Sequence, residues 1–255
     1  MHDTSSAHKK PLRPWDAAPA MWRLLRDPDD TRHVFTIIEA LSFRELERTR
    51  DRMRRSADGR RILRERPDLL VSLRDRAALA AMPEGSLGRA YLAFLDAEGI
   101  TADGLVSASI EGSTDTAPAS GDEAELFYVG DRLRDTHDLW HVVTGYHGDL
   151  LGEASLLAFS FAQTGTPGVG FIAAMGWLKA AALAARELIV GGYHRGRTAA
   201  WLPEQPWETM LALPLSEVRA RLRIAPPPPY EPLRTRDIEP GSLARWERTE
   251  RPLAA

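Results

Sequence analysis

The apolar positions of this chain recur every three or four residues rather than every second residue, which is the spacing of buried helix faces. Segments 31–43, 67–81 and 87–98 each show this pattern. A proline opens the second segment, which favours a helix start, and Gly99 follows the third, which predicts a helix end. We therefore predict an all-α, single-domain, bundle-like fold.

The longest apolar run covers residues 169–190 and could cross a bilayer if it were helical. It contains Lys179, Arg186 and Glu187, whose charges are costly in lipid. We predict one long buried helix that ends at Gly191 and Gly192. Small side chains form a stripe along it, which indicates close helix packing or, as the less favoured alternative, a groove for a lipid tail: Ala173, Gly176, Ala180 and Ala184.

The two ends of the chain differ in composition from its middle. Residues 1–29 are largely polar, without the apolar core of a signal peptide, and we predict a flexible lead-in. Residues 30–225 should form a helical metal-binding domain. Four consecutive prolines then open a charged tail over 226–255, which either wraps the surface or is disordered. A loop of small polar residues is predicted at 113–122.

Composition excludes two classes of protein. The formal net charge of −3 argues against nucleic-acid binding by bulk positive charge. With no cysteine, the fold cannot rest on disulfides, and a metal would need histidine and carboxylate ligands.

Segment 44–66 holds ten arginines against five acidic residues, which favours a solvated helix face over a site for anionic lipid. Trp201 and Trp207 lie near prolines and suit the core better than a membrane edge.

Three of the seven histidines lie within residues 137–147. If 134–144 is helical, His137 and His141 project from one face a turn apart, with Asp138 beside them. A continuous helix would carry Glu153 about 18 Å further along the axis, at about 1.5 Å per residue, beyond the reach of a shared ion. The chain must therefore turn back before Glu153.

The residues between the histidines and the glutamate suit that reversal. Gly145 and Gly148 can turn the chain, and Asp149 can cap a second helix that begins near Leu150. We predict that His137, Asp138, His141 and Glu153 bind one divalent ion. A helical pair of histidines without a metal remains the alternative. The zinc-protease pattern HExxH fits only partly because Asp138 replaces its glutamate, and phosphohydrolases with an HD pair need further ligands.

The spacing His137-Asp138-x-x-His141, then eleven residues, then Glu153, resembles the coenzyme Q (ubiquinone) biosynthesis protein 4 family. Three flanking segments carry the same resemblance: MPEGSLGRAY (82–91), YVGDRLRDTHDLWHVVTGY (128–146) and GRTAAWLPEQPWETMLALPLSEVRARLRI (196–224). The resemblance covers most of residues 30–225. It implies a helical protein with a divalent ion, zinc being expected and magnesium, manganese or iron left open.

The resemblance also implies an activity and partners. The expected activity is metal-dependent decarboxylation of a polyprenylated hydroxybenzoate at ring carbon 1, coupled to hydroxylation. The alternative is a non-catalytic, lipid-binding scaffold that organises quinone-biosynthesis enzymes. Expected partners are the polyprenylated precursor, those enzymes, a peripheral membrane surface and a second copy of the chain. Because no mitochondrial presequence is evident, we expect the bacterial cytoplasm or the cytoplasmic face of the inner membrane.

Overall fold

The described part of the chain is built from α-helices, as predicted. The computed structural model describes residues 44–104, 121–180, 182–227 and 229–234. The predicted lead-in, the predicted helix 31–43, residues 113–120 of the predicted loop and the end of the tail lie outside these ranges. Within them there is no β-strand, and one isolated bridge pairs Ser86 with Pro214.

The helices follow one another with short connections. A helical segment covers residues 44–53. After it come, in chain order, α1 (Ala57–Glu65), α2 (Leu69–Arg74), α3 (Arg76–Ala81), α4 (Leu87–Glu98), α5 (Gly121–Asp135), α6 (His137–Thr144), α7 (Leu150–Thr164), α8 (Pro167–Lys179), α9 (Leu183–Thr198), a 3-10 turn (Leu202–Glu204), α10 (Trp207–Met210) and α11 (Leu215–Leu222).

Capping residues set the limits of α4 where the pattern predicts them. The Ser86 hydroxyl accepts a hydrogen bond from the backbone N–H of Arg89, and Gly99 ends the helix in the left-handed conformation. The predicted helix 67–81 is instead two helices, α2 and α3. Asp75 lies between the two helices, and its carboxylate accepts the Ala78 N–H and caps α3. An aspartate inside an apolar pattern can therefore start a new helix.

The prediction of one helix over 169–190 is wrong. The backbone is extended at Ala180 and Ala182, so α8 ends at Lys179 and α9 begins at Leu183. Arg186 Nε donates to the freed Ala180 carbonyl, which satisfies one acceptor at the break. The predicted end at Gly191 and Gly192 is also wrong, because α9 continues to Thr198.

Helix α7 packs against both α8 and α9, and α6 adjoins it through the turn between them. Ala173 and Ala180 of the small-residue stripe pack with Ala154 and Ala158 of α7, which confirms the packing interpretation for these two residues; Ala184 is exposed and does not share this contact. Trp201 and Trp207 are buried, as predicted for core residues, and the main core joins α2 to α11. This packing holds α6 and α7 side by side.

Candidate metal site

Helix α6 presents His137 and His141 from one face, as predicted. The predicted helix 134–144 is broken at Thr136, so that α5 ends at Asp135 and α6 begins at His137. The two imidazole rings meet edge to face with their centroids 4.9 Å apart. His141 is 1% exposed and His137 is 24% exposed, so the pair lies partly in the core and partly at the surface.

The chain reverses between the two helices as the sequence predicts. Gly145 adopts φ +78° and ends α6, with its N–H donating to the His141 carbonyl. The Asp149 carboxylate then accepts the Leu151 N–H and caps α7, which begins at Leu150. Glu153 lies in the first turn of α7, and its N–H donates to the Asp149 carbonyl.

This reversal places the Glu153 carboxylate between the two histidines. Nε2 of His141 lies 3.2 Å from Oε1 of Glu153, and Nε2 of His137 lies 3.6 Å from Oε2. The three possible ligand atoms all lie within 4.8 Å of one another. Bonds of about 2.0–2.1 Å in a tetrahedral zinc site separate neighbouring ligand atoms by about 3.4 Å. The donor types and spacings therefore fit a divalent ion.

A backbone carbonyl fixes the tautomer of His141. Its Nδ1 lies 3.0 Å from the Tyr146 carbonyl oxygen, which can only accept a hydrogen bond, so Nδ1–H donates and Nε2 is the atom presented to Glu153. Phe94 of α4 stacks on the same ring, with centroids 5.2 Å apart. An unprotonated Nε2 and a carboxylate oxygen at 3.2 Å would repel unless a proton or a cation lay between them.

The pKa values of His141 and Glu153 also indicate that a proton or a cation lies between these two side chains. Burial disfavours the charged form of His141, but the charge and hydrogen bond of Glu153 prevail and raise its pKa above the ordinary value. Desolvation likewise disfavours the charged form of Glu153, yet the two histidines hold the pKa of its carboxyl far below the usual range. The site thus stabilises a carboxylate beside a protonated or cation-bound His141.

Asp138 lies beside this group but outside it. Its side chain is buried, and burial raises the pKa of its carboxyl, although His137 and His141 oppose that shift. The residues that could hold an ion within the described ranges are His137, His141 and Glu153. Asp138 as a fourth ligand stays a prediction, and its position next to both histidines gives it an electrostatic influence on them.

Several residues around the site were not predicted. Phe94 and Tyr146 hold His141, as described above, and Glu98 and Tyr230 contact the turn that precedes α7. The spacing of Tyr91 and Phe94 predicted only a buried helix face. Nothing in the sequence links Tyr230 to a turn more than eighty residues earlier.

Comparison with known proteins bears on these residues. Residues 17–228 match the model of the family described as coenzyme Q (ubiquinone) biosynthesis protein Coq4. The chain belongs to the Coq4 family. This match covers most of the chain and confirms the family that the sequence resemblance predicted, and its range spans the positions of the four predicted ligands.

Individual Coq4 proteins support the assignment. The ubiquinone biosynthesis protein COQ4 homolog, mitochondrial, of Bos taurus is 34% identical over 216 residues, which are 83% of this chain and 78% of that protein. The Homo sapiens homolog is 33% identical over 229 residues, 88% of this chain and 81% of its own length. These relatives are named as mitochondrial, whereas a bacterial setting for this chain stays a prediction.

A solved structure supports the fold of this Coq4 family member. A crystal structure from Nostoc punctiforme, whose name links it to ubiquinone biosynthesis, superposes with a TM-score of 0.61. The superposition covers 83% of this chain and 98% of the Nostoc punctiforme chain, at 24% sequence identity. At this identity the likeness concerns the helical fold alone.

Proposed function

We propose that this Coq4 family protein binds a divalent ion, expected to be zinc, through His137, His141 and Glu153. In coenzyme Q biosynthesis it would remove the ring carboxylate of a polyprenylated hydroxybenzoate, coupled to hydroxylation. The observation that carries the proposal is the position of Glu153, whose two carboxylate oxygens each face one histidine across the turn. An ion held there would supply Lewis-acid stabilisation of an aryl carboxylate or phenolate.

The side chains of the site would bind the ion, hold it in a fixed orientation and shield one side of it from solvent. His141 is buried and fixed by the Tyr146 carbonyl, whereas Glu153 is 42% exposed and leaves one side of the group accessible. Three protein ligands with an accessible side are typical of catalytic zinc sites, whereas structural zinc sites are closed by four protein ligands. Asp138 adds a buried negative charge beside the histidines and would favour the cationic state of the site.

The overall reaction needs an oxidant. Replacing a ring carboxyl by a hydroxyl releases carbon dioxide and oxidises the ring by two electrons. With dioxygen as oxidant, one oxygen atom enters the hydroxyl, and the other becomes water with two protons and two electrons from an external donor. Decarboxylation to the unsubstituted ring carbon needs only a proton, so oxygen dependence separates the two outcomes.

The experiment follows a labelled ring carboxylate. Protein loaded with zinc is incubated with a polyprenyl-4-hydroxybenzoate, under air with a two-electron donor and under nitrogen, and release of labelled carbon dioxide is measured. Glu153→Gln should fold normally and lose turnover, because it keeps the side-chain shape and removes the charge that binds the ion. Glu187→Gln, at an exposed position of α9, is the matched control and should retain turnover.

The alternative is a scaffold that binds lipid and presents intermediates to other enzymes. It predicts that metal-loaded wild-type protein releases no label, while Glu153→Gln still restores quinone synthesis in a deletion strain. That pair of results would contradict the enzyme proposal and leave the scaffold. Loss of both label release and rescue in Glu153→Gln, with normal folding, would support catalysis.

A peripheral membrane contact fits either role. No helix in the described ranges is long and apolar enough to cross a membrane. Several arginines of segment 44–66 are paired with acids, such as Arg54 with Asp122 and Glu125, which leaves less charge for lipid. The junction of α8 and α9 instead exposes Trp177, Leu178 and Leu183. Arg186 stacks over Trp177 there and would place a cation beside anionic headgroups.

A further inference from the structure

The chain segment 229–234 lies against the turn that joins the two halves of the candidate metal site. It begins with the last of the four consecutive prolines and is beyond residues 17–228, which match the family model. The Leu233 carbonyl accepts the Leu150 N–H at 2.9 Å, so the segment contacts the first residue of α7. Residues 229–234 therefore lie against this part of the surface, and for the rest of the tail the two alternatives drawn from the sequence stay predictions.

The Tyr230 hydroxyl contacts both sides of the turn. It accepts the His147 backbone N–H at 2.9 Å and donates to Oδ2 of Asp149 at 2.9 Å. Burial, followed by the negative charge of Asp149, raises the pKa of Tyr230, so the hydroxyl keeps its proton and remains a donor. One hydroxyl thus joins the backbone after α6 to the residue that caps α7.

Each contact leads directly to a metal ligand. His147 follows Tyr146, whose carbonyl orients the His141 ring. Asp149 is the N-cap of α7, and its own carbonyl accepts the Glu153 N–H at 2.8 Å in the first turn of that helix. A movement of Asp149 relative to His147 would therefore change the distance between the His141 and Glu153 ligand atoms.

The Asp149 carboxylate is fully used by this arrangement. Its Oδ1 accepts the Leu151 N–H at 3.0 Å and the Leu233 N–H at 2.9 Å, while Oδ2 accepts from Tyr230. The residue is 2% exposed, so its carboxylate is shielded from solvent. Glu98 adds a second link, because it accepts the Gly148 N–H at 3.2 Å and pairs with Arg234 at 3.1 Å.

The space at this junction is closed. A Cβ atom added to Gly152 would lie 2.0 Å from the His147 carbonyl oxygen, 2.7 Å from the Tyr230 hydroxyl and 2.9 Å from Oδ2 of Asp149. The close approach of α7 to the turn therefore requires glycine. Removal of the Tyr230 hydroxyl would leave Oδ2 of the buried Asp149 carboxylate without that donor and would break the link to the His147 N–H.

We propose that Tyr230 is a positioning residue for the metal site: its hydroxyl fixes the His147–Asp149 turn and thereby the separation of His141 from Glu153. This proposal rests on the proposed metal site. Groups that orient metal ligands from outside the coordination shell commonly change affinity by about 10- to 100-fold when removed. Tyr230 would act through the His147 backbone and the Asp149 cap of α7, without contacting the ion itself.

The test compares Tyr230→Phe with Tyr128→Phe in the full-length protein. The Tyr128 hydroxyl also donates once, to the Pro67 carbonyl, and accepts once, from Arg132, so the control loses the same group at a partly buried position away from the turn. Three quantities are measured for each: the rate of zinc loss to a chromogenic chelator, the visible absorption spectrum of the cobalt-loaded protein, and the urea midpoint of the metal-free protein.

We expect Tyr230→Phe to lose zinc about tenfold faster or more and to alter the cobalt spectrum, whereas Tyr128→Phe matches wild type in both. Wild-type rates and spectra for Tyr230→Phe would overturn the proposal. So would faster zinc loss in both variants in proportion to their lowered urea midpoints, because the effect would then be general destabilisation. If the wild-type protein bound neither zinc nor cobalt, both the proposed metal site and the proposed role of Tyr230 would be contradicted.

Discussion

Gly192 of α9 lies against the backbone of Ser155 in α7, so closely that a Cβ atom on the glycine would be 2.3 Å from the Ser155 carbonyl oxygen. Four residues later, a Cβ on Gly196 would lie 2.5 Å from the Phe159 carbonyl oxygen. The two glycines are one turn apart on the same face of α9. They allow α9 to approach α7, the helix that carries Glu153.

Gly192→Ala should destabilise the protein by about 1–3 kcal/mol or more, because the added methyl group meets backbone that cannot move aside cheaply. Gly191→Ala is the matched control. No atom lies within 4 Å of a Cβ at Gly191, so alanine should stabilise the helix by about 0.5–1 kcal/mol. Urea denaturation of both variants measures the difference. Equal midpoints would show that the α7–α9 approach is looser than described.

These glycines show where sequence reasoning failed. Adjacent glycines at 191–192 predicted a helix end, because a glycine commonly terminates a helix in the left-handed conformation. Both remain helical here. The close approach of α9 to α7 needs a position without a side chain at Gly192, and only the packed structure reveals that contact. The Asp75 and Ala180 breaks were missed for a related reason, since apolar periodicity continues across them.

The local part of the site was predictable. The i, i+4 histidines, the Gly145 turn and the Asp149 cap are encoded within seventeen consecutive residues, and the described structure contains all of them. The contacts of Phe94 and Tyr230 depend on α4 and on the tail, which lie far away in the chain. Their partners follow from tertiary packing, which spacing and residue type do not encode.

Removal of one partner from a buried ion pair should strongly destabilise the protein. Arg132 is 3% exposed and binds Glu208 through two hydrogen bonds of 2.6 and 3.0 Å, linking α5 to α10. Glu208→Gln should cost about 3–5 kcal/mol in the free energy of unfolding, because it leaves a buried guanidinium without its countercharge. Thermal and urea unfolding measure this loss.

Glu217→Gln is the control for that variant. Glu217 pairs with Arg221 one turn away on α11, where both side chains are about half exposed. Exposed pairs contribute about 0–1 kcal/mol, since water and salt screen them. If the two variants were equally stable, the Arg132–Glu208 pair would be no more important than a surface pair.

If the protein contacts the membrane only peripherally, it should be released from membranes without detergent. Alkaline carbonate should free the protein from membranes, because it strips peripheral proteins and leaves spanning helices in place. Leu183→Ser should weaken binding to vesicles with anionic lipid severalfold, since this 71% exposed side chain lies in the apolar junction of α8 and α9. Val71→Ser, at a 64% exposed position on α2, should bind as wild type does. Equal binding of all three proteins would exclude the junction as the contact.

Metal uptake by the histidine pair should release protons. Because the pKa of His141 is raised by Glu153, the metal-free site holds a proton on Nε2 at a higher pH than an ordinary imidazole does. A metal ion must displace that proton, so the apparent affinity should fall as the pH is lowered through the raised pKa. Above that pH the histidine is already neutral, and affinity should become independent of this proton.

Calorimetric titration of zinc into the protein, in two buffers with different ionisation enthalpies, measures the protons released near neutral pH. Glu153→Gln should release fewer, because removing the negative charge lowers the pKa of His141 toward its ordinary value and removes a ligand. His194→Ala is the control: His194 lies on α9 outside the ligand group, and its loss should leave the proton count unchanged. A wild-type enthalpy independent of the buffer would contradict proton displacement, and an unchanged proton count in Glu153→Gln would show that Glu153 does not control the charge of His141.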